Sequence, residues 1–246
     1  MRKVLIVGAT SAIAEAVARL LAAQGDYLYL VGRRNEALEA IATDLRVRGA
    51  VRVQTETLDI NTTERHEALL EHAAAALDGL DTVLVAHGTL SAQAACQQSV
   101  ALTFQELHTN VLSVIALLTL VSNSFENQRT GTIVVISSVA GDRGRQSNYV
   151  YGTAKAAIST FLSGLRQRLY KTGVRVLTIK PGFVDTPMTR SFAKNVLWAK
   201  PEQVAHDIIR AIDRGQDVIY TPKFWRLIMW VIQSIPERVF KSLSFL

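Results

Sequence analysis

Apolar residues fall along this chain in two rhythms that take turns. Val4, Leu5, Ile6 and Val7 form an unbroken apolar run, the pattern of a strand covered on both faces. Directly afterwards Ile13, Val17, Leu20 and Leu21 recur at helical spacing. The exchange repeats to about residue 220 and predicts strands over 4–7, 27–31, 51–57, 82–86, 132–137, 174–180 and 218–220. Between them it predicts further helices over 35–47, 62–77, 99–123, 151–171 and 201–214. Asn35 is expected to cap its helix and Pro201 to open the last one. Pro181-Gly182 reads as a sharp stop after a strand. Strands that alternate with helices pair in parallel, so the pattern predicts an α/β doubly wound parallel sheet, Rossmann-like and three-layered, of about seven strands. No linker or repeat interrupts it. Residues 1–246 are expected to form one domain, with 221–246 an apolar and basic helical tail.

Composition narrows the chemistry. With 246 residues and 49% hydrophobic content, the chain can fill one large core. Its net charge of +6 is dispersed and does not interleave with aromatics, so no nucleic-acid partner is expected. A single cysteine, Cys96, excludes an internal disulfide, and five scattered histidines give no metal site. The first apolar run stops at Gly8, which fits a buried strand better than a signal peptide. No segment reaches the roughly 18 apolar residues of a membrane span. A cytoplasmic protein is expected.

The candidate chemistry centres on Tyr151 and Lys155, four residues apart and so on one helix face, with Ser138 at the end of an apolar run. A free phenol has a pKa of about 10, and a nearby cation lowers it, so a proton can move either way near neutrality. Ser138 offers a hydroxyl to orient a carbonyl oxygen. At the other end, Gly8-Ala9-Thr10-Ser11-Ala12-Ile13-Ala14 joins the first strand to its helix, where exposed amides and the helix dipole favour a phosphate. Only the first of three usual glycine places is glycine; Ala12 and Ala14 hold the others. After the second strand stands Gly32-Arg33-Arg34, with no carboxylate to meet a ribose. Arg33 suits a phosphate in bidentate fashion, which favours NADP(H) and leaves NAD(H) open.

Together these residues resemble the short-chain dehydrogenase/reductase family over about positions 3 to 220. The set that carries the resemblance is Gly8, Asp59, Asn110, Ser138, Tyr151, Lys155 and Pro181-Gly182-Phe183-Val184-Asp185-Thr186. It implies that Tyr151 exchanges a proton with the substrate oxygen and that Lys155 holds the nicotinamide ribose while lowering the tyrosine pKa. It further implies that Ser138 aligns the carbonyl and that Asn110 helps hold a water linking the lysine to solvent. Asp59 would bind adenine, and Val184 with Thr186 the carboxamide. Gly8, Thr10, Ser11, Ile13, Arg33, Ile60, Gly88, Pro181 and Gly182 complete the implied cofactor set, together with Tyr151 and Lys155. Tyr149 is a decoy, since four residues on stands Thr153. The usual Asn-Asn-Ala-Gly reads Val85-Ala86-His87-Gly88, so a sheet-steadying asparagine is missing and His87 is expected to be structural. The helix over 151–171 is expected to pair with its copy in a homodimer or homotetramer.

The implied activity is hydride transfer between a nicotinamide cofactor and a ketone or secondary alcohol. Locally, residues 137–151 look like the branch that reduces 2-keto groups on decaprenylphosphoryl pentose, and Arg143 and Arg145 would suit an anionic or lipid-linked sugar substrate. Two other readings stay open: a dinucleotide-binding sensor without turnover, and a sugar epimerase or dehydratase. The second generally needs a larger C-terminal part than the about 65 residues after Pro181. The apolar run after Thr221 is flanked by Lys223, Arg226, Arg238 and Lys241. It is expected either to rest on anionic lipid at the inner membrane face through 223–243, or to cover the substrate pocket or a subunit contact.

Overall fold

Neighbouring residues of each strand feed opposite layers. In β1 (Lys3–Val7), Val4 and Ile6 join one apolar cluster and Leu5 and Val7 the other. That double burial is why the strands read as continuous apolar runs. The computed structural model describes residues 1–243. After β1 come α1 (Ala12–Ala23), β2 (Tyr27–Gly32), α2 (Asn35–Val47), β3 (Arg52–Thr57), α3 (His66–Leu77) and β4 (Thr82–Val85). Next are α4 (Gln93–Gln98), α5 (Val100–Leu107), α6 (Ser113–Gln128), β5 (Gly131–Ile136) and α7 (Tyr149–Leu169). The chain goes on through β6 (Val174–Pro181), α8 (Pro201–Asp213), β7 (Val218–Thr221), α9 (Trp225–Ser234) and α10 (Glu237–Phe240).

The seven strands lie in the order β3-β2-β1-β4-β5-β6-β7, every pair parallel. Helices α1, α2 and α8 cover one face, and α3, α6 and α7 the other. The strand order reverses between β1 and β4, which opens a crevice at their carboxyl ends where open α/β sheets take ligands.

Some expectations shift. Asn35 does not cap α2; Arg34 holds that place in extended conformation, and the Asn35 carboxamide oxygen accepts from Thr57 Oγ1 at 3.2 Å instead. Helix α7 opens at Tyr149, two residues early. The long helix expected over 99–123 runs from Val100, capped by the Ser99 hydroxyl, to Gln128, and is interrupted by a π turn at His108–Leu112. Its mean hydropathy of 1.4 makes it long and apolar enough by composition to cross a bilayer, contrary to the expectation that no segment would be. Leu117, Leu118, Val121 and Phe125 sit in the core from this run, so the apolar content serves packing against the sheet.

Candidate active site

Two cavities lie end to end over the carboxyl edge of the sheet. One, of ≈ 740 Å³, is lined by Gly8, Arg33, Asp59 and Ile60; the other, of ≈ 890 Å³, by Ile13, Ser138, Tyr151, Lys155, Pro181, Gly182, Val184 and Thr186. They share Thr10, Ser11, Ala86, His87 and Gly88, and so form one continuous cleft. Asn110 stands behind the cleft wall, 1% exposed. Tyr149 lines neither cavity and is 42% exposed.

The turn after β1 is held by backbone. The amides of Gly8 and Ala9 both donate to the Val31 carbonyl, at 2.9 and 3.0 Å. Gly8 has φ +83°, and a Cβ there would stand 2.5 Å from the His87 nitrogen, so only glycine fits. Ala12 and Ala14 already lie inside α1, where no positive φ is required, and their methyls disturb nothing. Ser11 opens that helix in extended conformation with no side-chain capping bond, which leaves its hydroxyl and the first-turn amides turned to the cleft. Arg33 is exposed on the same cavity and makes no ion pair among the described residues.

The reacting end is assembled by close approach. Ser138 caps a single turn, Val139–Gly141, its Oγ accepting from the Ala140 amide at 3.1 Å. A Cβ on Gly141 would lie 2.5 Å from the Lys155 carbonyl carbon, and one on Gly152 would lie 2.9 Å from the Ala140 oxygen. Two glycines therefore let this turn press onto α7 and bring Ser138 to the same cavity wall as Tyr151. Ser137 fastens the same contact, donating to the Lys155 carbonyl at 3.1 Å with Ser159 Oγ 2.8 Å away. Lys155 Nζ donates to the Ile136 carbonyl at 3.2 Å and lies 5.5 Å from the Tyr151 ring centre.

Burial governs the electrostatics. It pushes the Tyr151 phenol up to about 12, with the Ser138 hydrogen bond opposing and the Glu106 charge adding to the rise. Burial likewise pushes the Lys155 ammonium down to about 8, against the pull of Glu106. The direction is thus opposite to the expected lowering: desolvation dominates, and Lys155 Nζ is turned to the Ile136 carbonyl. Glu106 was not legible as a site residue, although it sits one turn before Asn110. It is 3% exposed, accepts from Ser91 Oγ at 2.7 Å, and receives Asn110 Nδ2 at 3.3 Å. The same amide nitrogen donates to the Thr89 carbonyl and hydroxyl at 3.2 and 3.0 Å. The π turn supplies the irregular backbone that carries Asn110 here.

His87 stands where the family pattern has asparagine. Its Nε2 lies 3.0 Å from Ser113 Oγ, whose hydroxyl donates to the Thr109 carbonyl at 2.8 Å. The imidazole thereby ties the end of β4 to α6, a structural role. Burial, with the Lys155 charge adding, pushes it down to about 3, so the ring is neutral throughout the physiological range.

The tail packs against the strand stop at Gly182. A side chain on Gly182 would overlap the Trp225 indole, and Val139 packs with Trp225, Met229 and Ile232. Phe183 stacks on Trp198 and meets Trp225 edge-on, each at 5.3 Å between ring centres. Arg143, expected to receive an anionic substrate, is engaged elsewhere. It donates to the Ile232 and Ile235 carbonyls at 2.6 Å each and to Glu237 at 2.9 Å, and its guanidinium lies 3.7 Å over the Phe240 ring. It satisfies the last carbonyls of α9 and locks the tail down. Arg145 is 8% exposed and lines neither cavity.

A doubly wound sheet with a Ser-Tyr-Lys cluster over its carboxyl edge defines an oxidoreductase of the dinucleotide-binding kind. The chain belongs to the short-chain dehydrogenase family, whose profile, described as short chain dehydrogenase, matches residues 2–197. It is 35% identical over 240 residues to an uncharacterized oxidoreductase of Mycobacterium tuberculosis, covering 98% of this chain and 96% of the relative. A second uncharacterized oxidoreductase, from Streptomyces coelicolor, is 36% identical over 244 residues with the same coverage. Among solved structures, an actinorhodin polyketide ketoreductase with NADPH superposes with a TM-score of 0.80 at 23% identity, over 89% of this chain and 95% of that one. An alcohol dehydrogenase of the archaeon Thermococcus sibiricus, complexed with 5-hydroxy-NADP, gives 0.79 at 23% identity over 89% and 96%. At that identity the likeness is one of fold.

Proposed function

We propose that this chain reduces a ketone to a secondary alcohol, or runs the reverse reaction, with NADP(H) as hydride carrier. The observation that carries the reading is the meeting of Ser138, Tyr151 and Lys155 at one end of a cleft whose other end is the Gly8 turn. The cradle fits a dinucleotide: glycine where a Cβ would strike His87, amides and a hydroxyl at the start of α1, and a guanidinium at Arg33 with no ion pair among the described residues. Thr10, Ser11 and Ile13 would hold the pyrophosphate, Asp59 and Ile60 the adenine, and Arg33 the ribose phosphate. Gly88 gives the chain room beside Lys155: a Cβ there would lie 2.7 Å from Asn110 Oδ1 and 3.6 Å from Lys155 Nζ. Pro181, Gly182, Val184 and Thr186 would frame the nicotinamide.

When bound, the reduced nicotinamide supplies a hydride to the carbonyl carbon. The protein's own work is proton handling. The carbonyl oxygen sits between the Ser138 and Tyr151 hydroxyls, and Tyr151, with a pKa of about 12, holds its proton until the oxygen gains charge. The phenolate left behind takes a proton from Lys155, whose value near 8 makes it the readier donor. Asn110 and Glu106, bonded to each other behind the lysine, would hold the water through which solvent returns that proton.

The substrate is a small ketone or alcohol; a sugar or lipid-linked one is the narrower reading, supported by the local resemblance around Ser138. We place the reaction in the cytoplasm. A homodimer or homotetramer is supported by Phe104 and Leu112, 65% and 55% exposed on the flank beside α7. The test is fluorescence titration with NADPH and NADH, followed by a panel of ketones. Tighter binding of NADPH and its oxidation by some ketone support the proposal; binding of neither cofactor defeats it.

A further inference from the structure

Helix α9 is apolar on both of its faces. The inner face buries Trp225, Met229 and Ile232. The outer face carries Phe224, Leu227, Trp230 and Val231, which are 43%, 65%, 65% and 49% exposed. Their spacing places them on one stripe of the helix surface. A single exposed leucine means little, but a contiguous stripe with a polar rim marks an interaction surface.

The rim is cationic. Lys223 and Arg226 border the stripe, and Arg238 and Lys241 lie beyond it on and after α10. A cleft of ≈ 1360 Å³ opens beside Trp230, lined also by Arg210, Arg214, Lys223 and Arg226. Its carboxylate, Asp207, is engaged by Arg210 at 3.2 Å and by the Thr221 hydroxyl at 2.8 Å. On α10, Glu237 is held by Arg143. Arg214, Lys223, Arg226, Arg238 and Lys241 make no ion pair among the described residues. We propose that this face docks the protein on an anionic lipid bilayer, the α9 stripe entering the acyl boundary and the cleft taking headgroup phosphates.

Charge decides between this occupant and a second copy of the chain. A two-fold contact through α9 would set the same cations against one another. Anionic headgroups neutralise them, and tryptophan beside arginine and lysine is the composition of interfacial helices. The flank with Phe104 and Leu112 differs: residues 93–128 contain no lysine or arginine, and that surface suits a like copy. Docking does not depend on the reaction proposed above. It would nevertheless bring the Gly182 rim of the cleft, which α9 covers, next to the lipid.

Flotation of the full chain with vesicles tests the proposal, one set made of phosphatidylcholine and the other containing about one third phosphatidylglycerol, at about 50 and about 500 mM salt. The chain is expected to float with the anionic vesicles at low salt, at least ~tenfold more than with phosphatidylcholine alone or at high salt. L227D/W230D should lose at least ~tenfold of that binding and K223Q/R226Q several-fold, each with the thermal midpoint of the parent chain. All four positions are exposed, so the fold is expected to tolerate both pairs. A parent chain left in the aqueous layer with both vesicle sets overturns the proposal. So does equal flotation of the parent and both variants. A sedimentation experiment in which L227D/W230D turns a dimer into monomers, while the parent ignores vesicles, assigns the face to a second copy and overturns it as well.

Discussion

The two halves of the cleft are built in opposite ways. The dinucleotide half is made of backbone: the Gly8 turn, the Val31 carbonyl that pins it, and the passage at Gly88, all within the first ninety or so residues. The substrate half is made of side chains drawn from distant segments. Ser138, α7, the Pro181-Gly182 stop and α9 meet there, and Arg143 reaches about ninety positions along the chain to hold the last of them. A ligand of fixed shape can be read by amides and close approach, which short motifs encode. A ligand that varies needs walls that can be rebuilt without disturbing the cradle, and a packed tail supplies them.

Changing one half at a time tests this contrast. The largest effect is expected from Tyr151→Phe, which removes the proton donor and should lower kcat by about 10²–10⁴-fold. NADPH affinity, measured by fluorescence, should stay unchanged; a parallel loss of both would mean the halves are not separable. Next comes Met229→Ala. Met229 is fully buried on the inner face of α9, and its loss should destabilise by about 2–5 kcal/mol in denaturant titration. The ketone KM should rise while NADPH affinity holds.

The pH dependence follows from Lys155. Its value in the folded protein is about 8, below the free 10.5, so reduction should weaken by about tenfold per unit as pH rises past 8, read as kcat/KM. For stability the sign is opposite. Between about 8 and 10.5 the unfolded chain binds more protons than the folded one, and stability should rise with pH across that window. Lys155→Met should abolish the rise. The smallest effect is expected at the outer end of the cradle: Arg33→Ala should weaken NADPH by about tenfold and leave NADH as it was.

Much of this was legible because the physics is local. Strands covered on both faces must be apolar throughout, so the α/β order can be read from β1 onward, and a Tyr-x-x-x-Lys spacing fixes a shared helix face whatever the rest does. What escaped depends on contacts far apart in sequence. Nothing in the Val100–Gln128 run announces a π turn at Asn110, because its apolar rhythm continues across it. Helix α4 is short and polar and carries no periodic signal. Arg143 looked free until the tail folded onto it. The rise of Tyr151 instead of a fall comes from desolvation, which a sequence does not display. The bond of His87 to Ser113 shows how a different side chain takes over the fastening of β4.

A phenol and an amine serving a hydride acceptor at the inner end of this cleft are the centre of the proposed chemistry. Its most direct test is isotope transfer from NADPH deuterated at the reactive nicotinamide carbon to a panel of ketones, followed by mass spectrometry. Deuterium is expected on the carbinol carbon of at least one product with the parent chain, and at least about 10²-fold less with Tyr151→Phe. Label that stays in the cofactor for every ketone, or product formed equally by Tyr151→Phe, would contradict it.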